Sequence, residues 1–411
     1  MINWFALQTM SGDKKKIMLL GGLRYLLPVI ESAHKLGLHV ITCDYLPDNI
    51  AHKYSDEYHN VSIIDKEAVL HLARKLGIDG IMSFAVDPGV VTAAYVQEQM
   101  GLPSFGPYES VCILQDKARF RDFLRKHHFN CPWSYGFDSA EAALAAAEQF
   151  TYPAIVKPTD AAGSKGVSRV NCFDELPPAL NDAMNCSLSG HIIVEEFLEK
   201  IGCSSDTDCF LVDGKLEFVS FSAQRFDLSA ENPYTPAGYS WPSTMGRENE
   251  AYLSAELQRL MTLLNMRTSI FNVESRLADN GKAYIMEVTP RGGGNRLAEM
   301  LQMATGAPLI ENAVRACVGF PLREIPPCDY KGNWVEVILH ADKDGLFESL
   351  KIRPDYADLV VETDLWVKKG DKVRAFRGAN DAIGTLVMNC DSEQQVENLL
   401  SNLKKVFKIE Q

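Results

Sequence analysis

The sequence is short of the features that would assign it quickly. Its ten cysteines form no Cys-x-x-Cys pair and no Cys/His cluster, so neither a zinc knot nor a disulfide framework is written into it. Scattered thiols of that kind suit a reducing cytoplasm. No apolar run approaches the roughly 20 residues that a membrane helix needs. Nor does the N-terminus combine a charged start, an apolar core and a small-residue cleavage site. A soluble protein without a membrane partner is expected. Positive charge is scarce as well: 41 Lys+Arg against 54 Asp+Glu give a net charge of -13, which argues against nucleic acid as a partner. Two phosphate-binding signatures are incomplete. The Gly-x-x-x-x-Gly-Lys-Ser/Thr pattern is absent, and Gly21-Gly22-Leu-Arg-Tyr-Leu lacks the third glycine of a dinucleotide fingerprint. The strand, glycines and helix that open the chain, with Asp44 downstream, therefore read as scaffold or substrate support, not as a nicotinamide site.

What is present points to several units. At 411 residues and 46% hydrophobic, the chain can bury a large core but is too long for one compact domain. Residues 1–15 read as a loose leader. From 16 to 112, short apolar strands alternate with helices, which implies a parallel α/β sheet. The pattern then changes to amphipathic helices and strands over 113–320. A strand-rich tail, 321–411, reads as a separate α+β module without catalytic residues.

The middle region is organised around Phe271 to Arg291. Two alternating runs flank Asn280-Gly281, a dipeptide suited to a two-residue hairpin turn. That turn sets Glu274 across from Glu287 and Asn272 across from Thr289. It leaves Phe271, Val273, Leu277, Tyr284, Met286 and Val288 to face a core. Opposed carboxylates roughly 5 Å apart repel unless something positive lies between them, and a divalent cation is the simplest remedy. A solvated strand face with two unrelated glutamates is the alternative.

Three further stretches carry chemistry. Val156-Lys157-Pro158 leads into Gly163-Ser164-Lys165-Gly166, a loop that can lay N–H groups and lysine over phosphates, or simply join two strands. Glu195-Glu196-Phe197-Leu198 ends a strand and can offer backbone groups to an adenine edge, or be a strand end with solvated acids. Pro290-Arg291-Gly292-Gly293-Gly294-Asn295-Arg296 opens a helix with exposed N–H groups and two arginines, an anion site for phosphate or carboxylate. The proline-rich, aromatic stretch around Tyr234, Tyr239 and Trp241 looks like a loop over a site.

In order and spacing, Lys117, Val156-Lys157-Pro158 with its glycine loop, Glu195 to Leu198, Glu274 and Glu287-Val-Thr-Pro-Arg291 resemble the ATP-grasp carboxylate-amine ligases. The tail, with Val367-Lys-Lys-Gly-Asp and Ala382-Ile-Gly, is similar to that of the L-amino-acid ligases. The resemblance implies a multidomain α/β and α+β protein: a preceding parallel-sheet domain, a central ATP-grasp fold with a small covering lobe at about 131–200, and the C-terminal module. It implies ATP and Mg2+, with Mn2+ as a substitute, and small-molecule carboxylate and amine substrates joined through an acyl phosphate. Lys117 and Lys157 would hold phosphates beneath the Gly163, Ser164, Lys165 and Gly166 loop. Glu195, Glu196, Phe197 and Leu198 would form the adenine hinge. Glu274, Glu287 and Asn272 would ligate the metal. Arg291, Lys157 and Lys165 would serve catalysis, with Gly293, Gly294, Arg296 and Trp241 near the substrates. A homodimer is a family-level expectation. Two departures stand out: Thr289 replaces a frequent Asn, and Ser204 stands where a Glu is common.

Overall fold

The computed structural model describes residues 14–160, 165–230, 235–401 and 403–411. The leader thus falls almost wholly outside the described residues, and so do Gly163, Ser164 and Tyr234.

Strands β1 (Lys16–Leu20), β2 (His39–Cys43), β3 (Glu57–His59) and β4 (Gly80–Ser83) form a parallel sheet in the order β3-β2-β1-β4. After a polar first residue, its central strands β2 and β1 are buried and largely apolar because both faces are covered. Met18 and Leu20 point into one core, with helices α2 (Lys66–Leu76) and α3 (Pro88–Met100). Ile17 and Leu19 point into a second core, with α1 (Leu27–Lys35).

After α4 (Tyr108–Gln115) and α5 (Lys117–Lys126), a four-stranded antiparallel sheet follows. It comprises β5 (Ser134–Phe137), β6 (Ala154–Pro158), β7 (Ser168–Val170) and β8 (Ile192–Glu196), ordered β5-β8-β6-β7. Helices α6 (Ala140–Ala145) and α7 (Leu176–Cys186) cover one of its faces over a core of its own.

The third sheet, ordered β10-β9-β13-β14, takes β9 (Ser205–Val212), β10 (Lys215–Phe218), β13 (Ser269–Leu277) and β14 (Ala283–Thr289). Phe271, Val273 and Val288 join the first core, where α8 (Arg247–Leu263) packs. Phe210 and Ile270 reach the second core beside α9 (Leu297–Thr305) and α10 (Leu309–Cys317).

The tail is not a separate sheet. Strands β11 (Ala223–Phe226) and β12 (Pro236–Trp241) leave the middle region as a pair, and β12 pairs with β15 (Asn333–His340), which pairs in turn with β20 (Ala382–Cys390), itself paired with β18 (Val360–Leu365). Two short pairs complete the tail: β16 (Gly345–Leu346) with β19 (Lys372–Val373), and β17 (Ser349–Ile352) with β21 (Phe407–Glu410). The stretch that reads in sequence as a loop over a site is therefore largely strand β12. Pro236 opens the strand, Gly238 lies opposite a bulge and Pro242 falls just past its end, where a missing donor costs little. Among the described residues, no helix is long and apolar enough to cross a membrane.

Candidate active site

The expected acid pair is in place, reached by a different route. Glu274 pairs with Glu287 and Asn272 with Thr289, but Leu277 pairs with Ala283, one residue out of step. The turn holds three residues, Asp279-Asn280-Gly281, closed by Ala278 N–H to the Lys282 carbonyl at 2.9 Å, with Gly281 at φ +75°. A bulge between Glu274 and Ser275 on the pairing with β14 then restores the register at the acids. The bulge also corrects the face assignment. Tyr284 and Met286 turn away from the core of Val273 and Val288 and pack against Leu198 and Ala278, beside the proposed hinge.

Sequence reasoning missed the third strand of acids. In β9, Asp206 lies opposite Glu274 and Asp208 opposite Asn272. One sheet face thus presents the row Asp206, Glu274, Glu287 beside the row Asp208, Asn272, Thr289, because directly paired residues share a face. The Asp-x-Asp alternation in β9 was the available signal.

Asn272 Nδ2 donates to Asp206 Oδ1 at 2.9 Å and to Asp208 Oδ1 at 3.2 Å. Burial pushes the Glu274 carboxyl up, and the adjoining Glu287 and Asp206 carboxylates add to this against the pull of Arg276. Burial acts on Glu287 too, but Lys117, Lys157, Arg291 and Arg121 together hold its carboxyl below the ordinary range.

These oxygen donors fit Mg2+. Glu274 and Glu287 would hold it, with the Asn272 side-chain oxygen beside them. No group of three or more His, Cys, Asp or Glu side chains forms a ready-made cage among the described residues. Two carboxylates plus substrate phosphates is the usual manner of binding for this ion.

The cations come from two elements. Asp116 caps α5 by accepting from Arg119 N–H, which sets Lys117 at the helix start, and the Lys117 N–H donates to the Thr159 carbonyl at the end of β6. One turn on, Arg121 is buried and donates from Nε to Glu195 Oε2 at 2.8 Å, and through a second nitrogen to the Met286 carbonyl at 2.8 Å. Lys157 pairs with the other Glu195 oxygen. Burial alone would raise the Glu195 carboxyl, yet Arg121 and Lys157 bring it down to about 2. The Glu195 side chain thus anchors two cations and is not turned toward a base, a correction to its reading as part of an adenine hinge. Arg121 was legible only through its i, i+4 spacing from Lys117.

In the hinge, Phe197 N–H donates to the Pro153 carbonyl, and Arg169 lies 4.1 Å from its ring centroid. Glu196 N–H donates to the Trp133 carbonyl. Ser204 Oγ accepts from Arg276 Nε at 3.2 Å, and Arg276 also reaches the Leu198 carbonyl at 3.2 Å. Gly166 adopts φ +66°, and Lys165 is exposed in the same turn.

The glycine-rich turn is held down rather than open. Arg291 pairs with Asp87, which follows β4, with Nε to Oδ1 at 2.7 Å, and Ala85 N–H donates to the Gly292 carbonyl at 3.1 Å. Gly293 N–H is spent on Asp208 Oδ1 at 2.8 Å, so it is not offered to an anion as the sequence suggested. A Cβ on Gly293 would come within 2.7 Å of Asn272 Nδ2, which is why glycine stands there; one on Gly294 would meet only Tyr25, at 3.9 Å.

Two expected substrate residues fall elsewhere. Arg296 is engaged by Glu299 at 3.1 Å, Glu362 at 2.8 Å and Asp364 at 3.5 Å, and donates to Thr385 Oγ1. Trp241 is 1% exposed and stacks on Tyr239 within the sheet core, so it covers nothing. Tyr239 does reach the acids: its hydroxyl is 3.2 Å from Asp206 Oδ2 and accepts from Asn295 Nδ2 at 3.0 Å.

Comparison with known proteins finds an ATP-grasp domain in the middle of this chain. Residues 114–295 match the model of the ATP-grasp domain. The chain is 24% identical over 332 residues to the carbamoyl phosphate synthase large chain of Pasteurella multocida (strain Pm70), covering 77% of this chain and only 30% of that protein's length. It is 25% identical over 366 residues to the formate-dependent phosphoribosylglycinamide formyltransferase of Synechococcus sp. (strain CC9605), covering 86% of this chain and 88% of the relative. The crystal structure of an L-amino acid ligase from Bacillus licheniformis superposes with a TM-score of 0.78 at 20% identity, over 97% of this chain and 98% of the other.

Proposed function

We propose that the protein is an ADP-forming carboxylate-amine ligase that makes an amide bond through an acyl phosphate, with an amino acid as one substrate. The observation that carries this reading is the convergence of Lys117, Lys157, Arg121 and Arg291 on Glu287, beside Glu274 on the same sheet face. Acids set beside cations in this way suit a polyphosphate with a divalent ion.

In the proposed reaction a substrate carboxylate oxygen attacks the γ-phosphorus of ATP, and the bond to the β–γ bridging oxygen breaks, releasing ADP. The amine nitrogen then attacks the acyl carbon, phosphate leaves, and the amine gives up a proton. Residues 196–198 would seat the adenine against Met286. Lys117 and Lys157 would hold the phosphates, and Lys165 with its glycine loop would close over them. Arg291, fixed by Asp87, would face the charge that develops on the transferred group. Most of the rate acceleration would come from positioning and from prearranged charge. Mg2+, when bound, would supply neutralising charge between the phosphates and the two glutamates.

Three units fit this division of labour: 16–112 as the preceding domain, 113–320 as the nucleotide-binding domain and 321–411 as the tail, although the last shares a sheet with β11 and β12. Ten free thiols agree with a reducing cytoplasm. A homodimer completes the proposal, to be tested by light scattering.

The test is phosphate release from Mg-ATP against amino acids offered singly and in pairs, with bicarbonate as a separate arm. Release that requires one acid and one amine supports the ligase. Release with bicarbonate alone supports a carboxylase-type enzyme, and ATP binding without release under any pairing supports a non-catalytic regulator.

A further inference from the structure

Asp208 is a buried acid to which the proposed chemistry gives no part. Its side chain is 0% exposed, and Oδ2 has no hydrogen-bond partner among the described residues, so Oδ1 carries all of its hydrogen bonding. That oxygen accepts from Gly293 N–H at 2.8 Å and from Asn272 Nδ2 at 3.2 Å. A carboxyl is costly to bury, and this one is buried where it bridges the glycine-rich turn to β13.

The bridge fixes an amide. Asn272 Nδ2 stands among three oxygens: Asp206 Oδ1 at 2.9 Å, the Thr207 carbonyl at 3.2 Å and Asp208 Oδ1 at 3.2 Å. An amide nitrogen only donates and an amide oxygen only accepts, so turning the group over would set oxygen against three acceptors. Strand β9 thereby decides which end of Asn272 it keeps, and it leaves the oxygen as the end free for another partner.

The same contacts run on into a closed circuit. Asp206 Oδ2 accepts from the Tyr239 hydroxyl at 3.2 Å, and that hydroxyl accepts from Asn295 Nδ2 at 3.0 Å. The chain of contacts therefore leaves the turn at Gly293 and returns to it at Asn295. Between circuit and helix, Asn295 and Arg296 hold positive φ, +51° and +59°, a conformation that residues other than glycine keep when their surroundings fix it. Arg291 stands at the head of this same turn.

We propose that Asp208 is a positioning residue, aided by Asp206 and Tyr239: it keeps the Asn272 oxygen available to Mg2+ and ties that orientation to the turn that carries Arg291. Partners of this kind, which touch a ligating group and not the metal, set that group's orientation and so its affinity. The part played toward Mg2+ rests on the ligase reading; the orientation of the amide and the circuit do not.

The experiment is calorimetric titration of the whole protein with ADP, once in Mg2+ and once in EDTA, with a melting curve for each variant. Mg2+ should tighten ADP binding to the wild type. Asp208→Ala should weaken binding in Mg2+ by about tenfold, the scale for removing a group that orients a metal ligand, and leave binding in EDTA as it was. Asp208→Asn, whose amide oxygen can still accept from both donors, should retain most of the wild-type gain. Tyr239→Phe removes one hydroxyl from the far side of the circuit and should reduce the gain by a smaller factor, which keeps the test open should Asp208→Ala fail to fold. A gain that survives both Asp208→Ala and Tyr239→Phe would overturn the positioning role and leave the ligase reading standing. So would a loss that is equal in Mg2+ and in EDTA, or an Asp208→Asn variant as impaired as Asp208→Ala. A wild type that binds ADP equally with and without Mg2+, or does not bind it, would overturn the proposal together with the ligase reading.

Discussion

Glu287, half-buried, and Glu195, fully buried, are both acids surrounded by cations, and they should answer differently to substitution. Glu287 lies near four cations that do not depend on it alone, since Arg291 is paired with Asp87 and Lys157 with Glu195. Glu287→Gln should therefore lower phosphate release by about a hundredfold or more with little change in melting temperature. Arg291→Ala should lose activity to a similar degree and also cost roughly 1–3 kcal/mol, because Asp87 is left half-buried without its partner. A melting curve beside a phosphate assay separates the two. Glu195 has the structural part. Glu195→Gln leaves Arg121 and Lys157 without their shared carboxylate, and removing one member of a buried pair costs about 3–5 kcal/mol. Its folded carboxyl lies near 2, below the ordinary 4.5, so its contribution is whole above about pH 4.5 and is lost as pH falls toward 2. Chemical denaturation across that window should show the wild type losing stability faster than the variant; parallel curves would remove this role from Glu195.

At the scale of elements, the hairpin shows both how much the sequence carried and where it stopped. Alternation and the Asn280-Gly281 signal were enough to pair Glu274 with Glu287. The turn's third residue and the bulge depend on local backbone geometry that alternation does not encode, and their offsets cancel at the acids. The order of strands and helices in the first sheet was legible for the same reason: apolar runs and glycine punctuation are local. Asp206, Asp208 and Arg121 were not, because their role comes from which strand or helix lies alongside. Trp241 and Arg296 were misread because an aromatic or a cation near a site looks the same in sequence whether it faces substrate or its own protein. The Pro290–Arg296 turn makes the point testable. A Cβ on Gly292 would fall 2.2 Å from Cζ of the buried Phe84. Gly292→Ala should thus shift the turn, cost roughly 1–3 kcal/mol and lower phosphate release through misplacement of Arg291. A variant with wild-type melting and turnover would show that the ring yields freely.

Across the whole molecule, that same turn is gripped from two sides. The first sheet holds it through Asp87 and Ala85, and the last sheet holds Arg296 through Glu362, Asp364 and Thr385. The last sheet is itself assembled from residues 223–241 and 333–390, so the middle region cannot complete its structure alone. A chain ending at residue 320 would keep β11 and β12 but lose β15, β18 and β20. Tyr239 and Trp241 would lose the neighbour that helps bury them, and β12 would present an open edge. Such a chain should bind a hydrophobic dye, lose near-ultraviolet dichroism and aggregate, even though it retains Lys117, Lys157, Glu274, Glu287 and Arg291. If it instead stayed monomeric, melted cooperatively and released phosphate at the full-length rate, the tail would be an accessory, and the grip on Arg296 would have no part in setting the site.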